Sequence, residues 1–158
     1  MSEAYMSMLI ESQERKLELL ERAIELDREQ EEIITGSEPD LRALDANIDA
    51  KGALIDELDK LDDGFEALYN KVRDEFINNK DAHKEEIRTL QDLIRRITEK
   101  IAEVEAIEAR SRVNFEMFMK RKKHSIKDTK SSVRAANVYA VNMRRMNKID
   151  SVFVDNKK

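Results

Sequence analysis

Among its 158 residues the chain has no cysteine, no tryptophan, one proline and three glycines. Without cysteine there is no disulfide and no thiolate metal ligand. With so few glycines there is no loop to cradle a phosphate. Aromatic residues make up only 5%, and no β-branched or aromatic runs are bounded by turn signals, which argues against a sheet. No apolar stretch approaches the ~20 residues that span a bilayer. The first residues carry no basic region followed by an apolar one, so no secretory signal is expected.

What is present is charge and helical periodicity. Charged residues form 40% of the chain, and Leu and Ile recur between them, the composition of long helices or a coiled coil. One domain is the expectation at this length. A net charge of −5 hides an asymmetry. Residues 1–79 hold 22 acidic and 9 basic side chains, net −13, whereas 80–158 hold 12 and 20, net +8. Most of the positive charge falls in 120–158, with 12 basic and 3 acidic residues. The chain has an acidic body and a basic tail.

The strongest periodic stretch runs from Pro39 to Ile77. Leu41, Leu44, Ile48, Ile55, Leu58, Phe65, Tyr69, Val72 and Phe76 follow in steps of three, four or seven, the spacing of a helix packed lengthwise on others. Leu54, Leu61 and Leu68 add a second seven-residue series. The widened stripe predicts that this helix touches two neighbours. Lys51 and Asp62 fall on its seam, where polar residues set register. The adjacent Asp62-Asp63 reads otherwise as solvated carboxylate surface.

Ser2 to Ile34 reads as a helix with the stripe Met6, Leu9, Ile10, Leu17, Leu20, Ile24 and Ile33/Ile34, and Leu26 beside it. Glu11–Arg15 and Glu18–Arg22 are spaced to pair at i,i+4. Thr35 to Asp40 reads as a turn, with Gly36 left-handed at the helix end, Ser37 as the next cap and Pro39 in the first turn. Asn78-Asn79-Lys80-Asp81 is a second break. Beyond it the seam Ile87, Leu90, Ile94, Ile97, Ile101 and Val104 is out of phase with the one before, which marks a turn or a stutter, and we favour the turn. Two short turns give an up-down-up bundle. Its register should set Leu9 near Phe65, Leu20 near Leu54/Ile55, Ile94 near Phe65 and Phe118 near Leu41. The third helix weakens after Val104, where Glu108 and Ser111 occupy seam positions before Phe115 and Phe118. The fold expected is all-α: an elongated antiparallel three-helix bundle over residues 1–124 and a basic amphipathic, partly disordered tail over 125–158.

Catalytic chemistry is not legible. His83 and His124 lie far apart, no His-Glu-x-x-His or Glu-x-x-His spacing occurs, and no nucleophile–base pair stands out. An enzyme, a bound metal and a cofactor are not expected. The tail carries a helical stripe of Val133, Ala136, Tyr139, Ala140, Met143, Met146 and Ile149, with Arg134, Arg144, Arg145 and Lys148 off it. Methionines adapt to varied partner surfaces, and anchors three and four apart suit helix-in-groove docking. The same stripe could instead fold back as a fourth core helix. Its basic residues could contact phosphate, but only Tyr139 and Phe153 are there to stack on bases, and the acidic body opposes a polyanion. Neither nucleic acid nor membrane insertion is expected.

The residues resemble those of the FlgN-type flagellar export chaperones. In 9–34 the likeness rests on Leu9-Ile10-Glu11 followed by Leu- and Glu-rich turns. In 44–77 it rests on Lys51-x-x-Leu54-Ile55-x-x-Leu58, Leu61-Asp62 and Phe65-Glu66-Ala67-Leu68-Tyr69. In the tail it rests on Ala135-Ala136-x-x-Tyr139 and Ser151-x-Phe153-x-Asp155-x-Lys157-Lys158, the last being the most specific part. The resemblance implies a small cytoplasmic chaperone for type III export in flagellum biogenesis. It would bind the C-terminal helical segment of hook-associated (hook–filament junction) proteins and deliver them to the flagellar export gate. The family's C-terminal segment is implicated in client binding and a tail tyrosine in gate docking, which here could only be Tyr139. A structural coiled-coil homo-oligomer without a client is the alternative, and a homodimer is compatible with either.

Overall fold

The computed structural model describes residues 2–122. They form three long helices, α1 (Ser2–Thr35), α2 (Leu41–Asn78) and α3 (Lys84–Lys122), with no strand among the described residues. At 34, 38 and 39 residues the helices match in length, each about 50 to 60 Å at 1.5 Å per residue. The fold is an all-α three-helix bundle running up, down and up.

Both turns fall where the periodicity breaks, but the first is built differently from expectation. Asp40, not Ser37, caps α2: its Oδ1 accepts from the amides of Arg42 (3.0 Å) and Ala43 (3.2 Å). Its extended backbone, φ −83° and ψ 104°, suits a cap. Pro39 therefore precedes the helix and does not occupy its first turn. No described glycine has a positive φ, so Gly36 ends α1 without a left-handed residue. At the second turn Asn79 N–H donates to Glu75 O (2.8 Å) and Ala82 N–H to Asn79 O (3.1 Å), and α3 then starts in its own phase. That helix does not weaken after Val104; it continues to Lys122.

The central helix is α1, not α2. It packs along both others, whereas no Cα of α2 lies within 8 Å of one of α3. Its buried positions Met6, Leu9, Gln13, Lys16, Leu20, Ala23, Asp27, Gln30 and Ile34 alternate strictly by three and four, an unbroken heptad seam. Leu17, Leu19, Ile24 and Leu26 are buried on its flanks. A helix enclosed from two sides needs an apolar arc wider than one seam.

The core divides into three apolar clusters along the rod. Met6, Leu9, Val72, Phe76 and Leu90 pack at the end holding the α2–α3 turn. Leu20, Leu58, Ile97, Ile101 and Val104 belong to the middle cluster. Ile34, Leu44, Ile48, Phe115 and Phe118 fill the far end. Burying a Leu, Ile or Phe side chain stabilises by about 1.5–3 kcal/mol, so these clusters dominate the stability. Leu9 and Ile94 do join Phe65, and Leu20 joins Leu54 and Ile55. The buried pairs Lys16–Asp62 and Asp27–Lys51 nevertheless put Leu20 level with Leu58, one turn beyond the expected register. Accordingly Phe118 meets Leu44 and Ile48, and Leu41 stays 37% exposed.

Surface ion pairs also differ from the expected spacing. Arg15 bonds Glu18 (3.2 Å) and, across to α2, Glu57 (2.9 Å), and Arg22 bonds Glu25 (2.9 Å). These replace Glu11–Arg15 and Glu18–Arg22. A long guanidinium reaches equally well at i,i+3 or across a helix boundary, so spacing alone does not choose the partner.

Candidate functional site

Two features go beyond an ordinary helical core: polar layers inside it and a groove beside it.

The polar layers separate the apolar clusters. In the first, Lys16 of α1 is fully buried and its Nζ lies 2.5 Å from Asp62 Oδ1. Burial pushes Lys16 down to about 8 despite Asp62, and burial pushes Asp62 up despite Lys16. Both shifts oppose the charged pair, so desolvation here exceeds the attraction. In the second layer each helix supplies one group. Lys51 Nζ of α2 lies 2.6 Å from Asp27 Oδ1 of α1 and 2.8 Å from Glu108 Oε1 of α3, all three side chains being buried. Burial pushes Asp27 up to about 8, with Glu108 adding to the rise and Lys51 opposing it. For Lys51, burial works downward, but Glu108 and Asp27 outweigh it and the net shift is upward. Burial thus favours the protonated form of Asp27, which eases its repulsion with Glu108. Asn47 closes the layer, its Nδ2 donating to Leu26 O at 2.9 Å. Gln13 and Gln30 are also fully enclosed in α1's seam, and neither amide has a hydrogen-bond partner among the described residues.

The seam positions of Lys51, Asp62, Glu108 and Ser111 were legible from the heptads, and all four lie inward. Asp62 is thereby removed from the solvated surface assigned to Asp62-Asp63, while Asp63 stays exposed. Gln13, Lys16, Asp27 and Gln30 were missed. Their three-four alternation with Leu9, Leu20 and Ile34 was the available signal.

The groove opens between α2 and α3 at the end holding their turn. Its volume is about 720 Å³. Met6 of α1 lies at its base, with Phe65, Phe76, Ile87, Leu90 and Ile94 around it. Phe65 and Tyr69 stack in parallel, ring centres 6.1 Å apart. Tyr69 is 37% and Ile77 56% exposed, so the apolar wall continues to the lip. In the turn, buried His83 meets Phe76 edge-on at 5.4 Å and brings Nε2 within 3.8 Å of Glu75 Oε1. The α3 lip is mostly basic: Lys84, Arg88 and Arg95 follow at four and seven residues, with Lys80 and the acidic Asp81 in the turn. Arg95 bonds Asp92, whereas Lys80, Lys84 and Arg88 have no carboxylate partner among the described residues. On α2 the groove residues Phe65, Tyr69 and Phe76 belong to the main heptad series, whereas Leu54, Leu61 and Leu68 of the second pack into the core clusters.

No cluster of three metal-ligating side chains occurs among the described residues, and none of their helices is long and apolar enough to cross a membrane. The expected client- or gate-binding residues Val133, Ala136, Tyr139, Ala140, Met143, Met146 and Ile149 lie outside the described residues, as does His124. The class defined by fold and groove is an elongated helical bundle with an open apolar flank. Comparison with family models, curated proteins and solved structures finds no match to this chain.

Proposed function

We propose that this chain is a non-enzymatic cytoplasmic chaperone of the FlgN type. It would hold the C-terminal helical segment of hook–filament junction proteins and present them to the flagellar export gate. The carrying observation is the α2–α3 groove, an apolar channel beside a rigid bundle with Tyr69 and Ile77 at its lip. Such a channel matches an amphipathic helix that buries residues spaced three, four and seven apart. Covering that face on a client keeps it from associating prematurely. The sequence resemblance supplies the client class and the export role, and assigns the tail stripe around Tyr139 to client or gate contact. The alternative is a structural homo-oligomer, which the heptad seams favour in principle. Against it, α1's seam is already filled from within the chain. Among the described residues outside the groove, the exposed large apolar ones are Met8, Leu41, Val113 and Met117, too few and too spread for an obligate interface.

Calorimetric titration with the C-terminal segments of hook–filament junction proteins tests the proposal, using the full chain and a 1–124 truncation checked for helicity. Binding by the full chain alone supports a chaperone with its client site in the tail. Binding by both supports a chaperone that uses the bundle. Heat from neither, with concentration-dependent assembly in the ultracentrifuge, rejects the chaperone in favour of the structural oligomer.

A further inference from the structure

We infer that the α2–α3 groove is a docking site for an acidic amphipathic helix of another protein, seated on Phe65, Tyr69 and Ile77 and clamped by Lys80, Lys84 and Arg88. This deepens the chaperone reading, on which it rests only in taking the guest to be a protein helix.

Three observations specify the occupant. The apolar wall is linear: Phe65, Tyr69, Phe76 and Ile77 line it from α2, and Ile87 and Ile94 from α3. At 1.5 Å per residue, Phe65 to Ile77 spans about 18 Å, or roughly three turns of a guest helix. Next, the cations are concentrated on one lip. They stand out beside a body whose first 79 residues carry net −13, and Lys80, Lys84 and Arg88 are not neutralised from within the described residues. Two carboxylates also line the groove, Asp62, already engaged by Lys16, and Asp81 in the turn, against the four cations Lys80, Lys84, Arg88 and Arg95. A guest with an apolar stripe and carboxylates on the flank facing α3 therefore meets both surfaces. Finally, this chain's own remainder has the wrong sign, since residues 123–158 carry 9 basic and 3 acidic side chains. The tail would set its arginines and lysines against the lip.

The test uses the full chain and two synthetic helical peptides that share one leucine stripe and differ only in carrying Glu or Lys on the flanks. Affinities are read by calorimetry at low and moderate salt. The Glu peptide is expected to bind about tenfold or more tightly than the Lys peptide, with the difference shrinking in salt. Tyr69→Ser with Ile77→Ser should weaken the Glu peptide about tenfold or more. Lys84→Glu with Arg88→Glu should abolish or reverse the preference between peptides. Circular dichroism melts check folding, and the charge reversal, at exposed positions, keeps the test decisive if the apolar variant unfolds. Equal binding of the two peptides, no binding of the Glu peptide, or full affinity in the folded charge-reversed chain overturns the inference. Self-association abolished by Ile77→Ser would assign the groove to a second copy and also overturn it. A gain of about tenfold in Glu-peptide affinity on Met143→Asp with Met146→Asp would give the groove to the tail and overturn it likewise. The chaperone reading fails separately. Junction-protein segments that bind the groove variants unchanged would keep the chaperone and remove this site. Glu-peptide binding without any junction-segment binding would do the reverse.

Discussion

Lys16 of α1 donates to Asp62 of α2 at 2.5 Å, and along the same seam the polarity is inverted, with Lys51 of α2 donating to Asp27 of α1 at 2.6 Å. Sliding one helix by a heptad would leave buried charges without partners. The two pairs therefore act as a register lock, the best-attested use of polar groups in a helical seam.

The lock should be dispensable as a set and damaging in part. Lys51→Met leaves Asp27 and Glu108 facing each other without a cation, and should lower unfolding free energy in urea by about 3–5 kcal/mol. Replacing all three, with Asp27→Leu, Lys51→Met and Glu108→Leu, should restore wild-type stability or exceed it by about 1–4 kcal/mol. A triple variant no more stable than the single one would refute this.

Proton linkage gives opposite slopes on either side of pH 8. Asp27 is raised to about 8 by burial. Between its ordinary range and pH 8 the folded chain therefore holds a proton that the unfolded chain has lost. Its contribution is complete below about pH 4 and declines as pH climbs to 8, by at most about 1.4 kcal/mol per pH unit. Asp27→Asn keeps the shape and lacks the proton, so it should gain on the wild type steadily from pH 5 to pH 8. Lys16, lowered to about 8, acts the other way: from pH 8 to 10.5 the unfolded chain binds more protons and stability rises. Lys16→Met should flatten that upper limb. Urea titrations across pH 4–10 read both slopes.

How much of this was legible follows from what periodicity measures. The helices, both turns and the seam positions of Lys51, Asp62, Glu108 and Ser111 could be read because the flanking apolar residues keep phase through them. The central helix was misjudged because α1 buries Gln13, Lys16, Asp27 and Gln30, which count as polar in any hydropathy pattern. Charge partners such as Arg15–Glu57 depend on packing between helices, which spacing within one helix does not contain. The groove depends on how α2 and α3 are set on α1, a three-dimensional fact that spacing within one helix does not contain.

Gln30 tests the same layers without charge. Its amide is enclosed, with neither its oxygen nor its nitrogen bonded among the described residues. Gln30→Leu, close in volume, should raise stability by about 1–3 kcal/mol, seen as a higher urea midpoint with an unchanged slope. An unchanged or lower midpoint would show that the amide is satisfied in solution.

Gly64 lies mid-helix in α2, and a methyl group added there meets nothing within 4 Å. Gly64→Ala should therefore stabilise by about 1 kcal/mol through helix propensity alone. It should leave peptide binding at the groove untouched. A thermal melt shifted downward would contradict the open surroundings of this position.

The place of α1 as common partner also bears on how the chain is made. During synthesis α2 follows after only residues 36–40 and can close on one flank of α1 at once. The other flank stays bare until the 39 residues of α3 have been added, a few seconds at roughly 5–20 residues per second. Through that interval the nascent hairpin presents Leu20, Ala23 and their neighbours to the crowded space at the ribosome exit. The second flank of α1 is thus covered only by α3, the last of these three helices to be made, although α1 is the first.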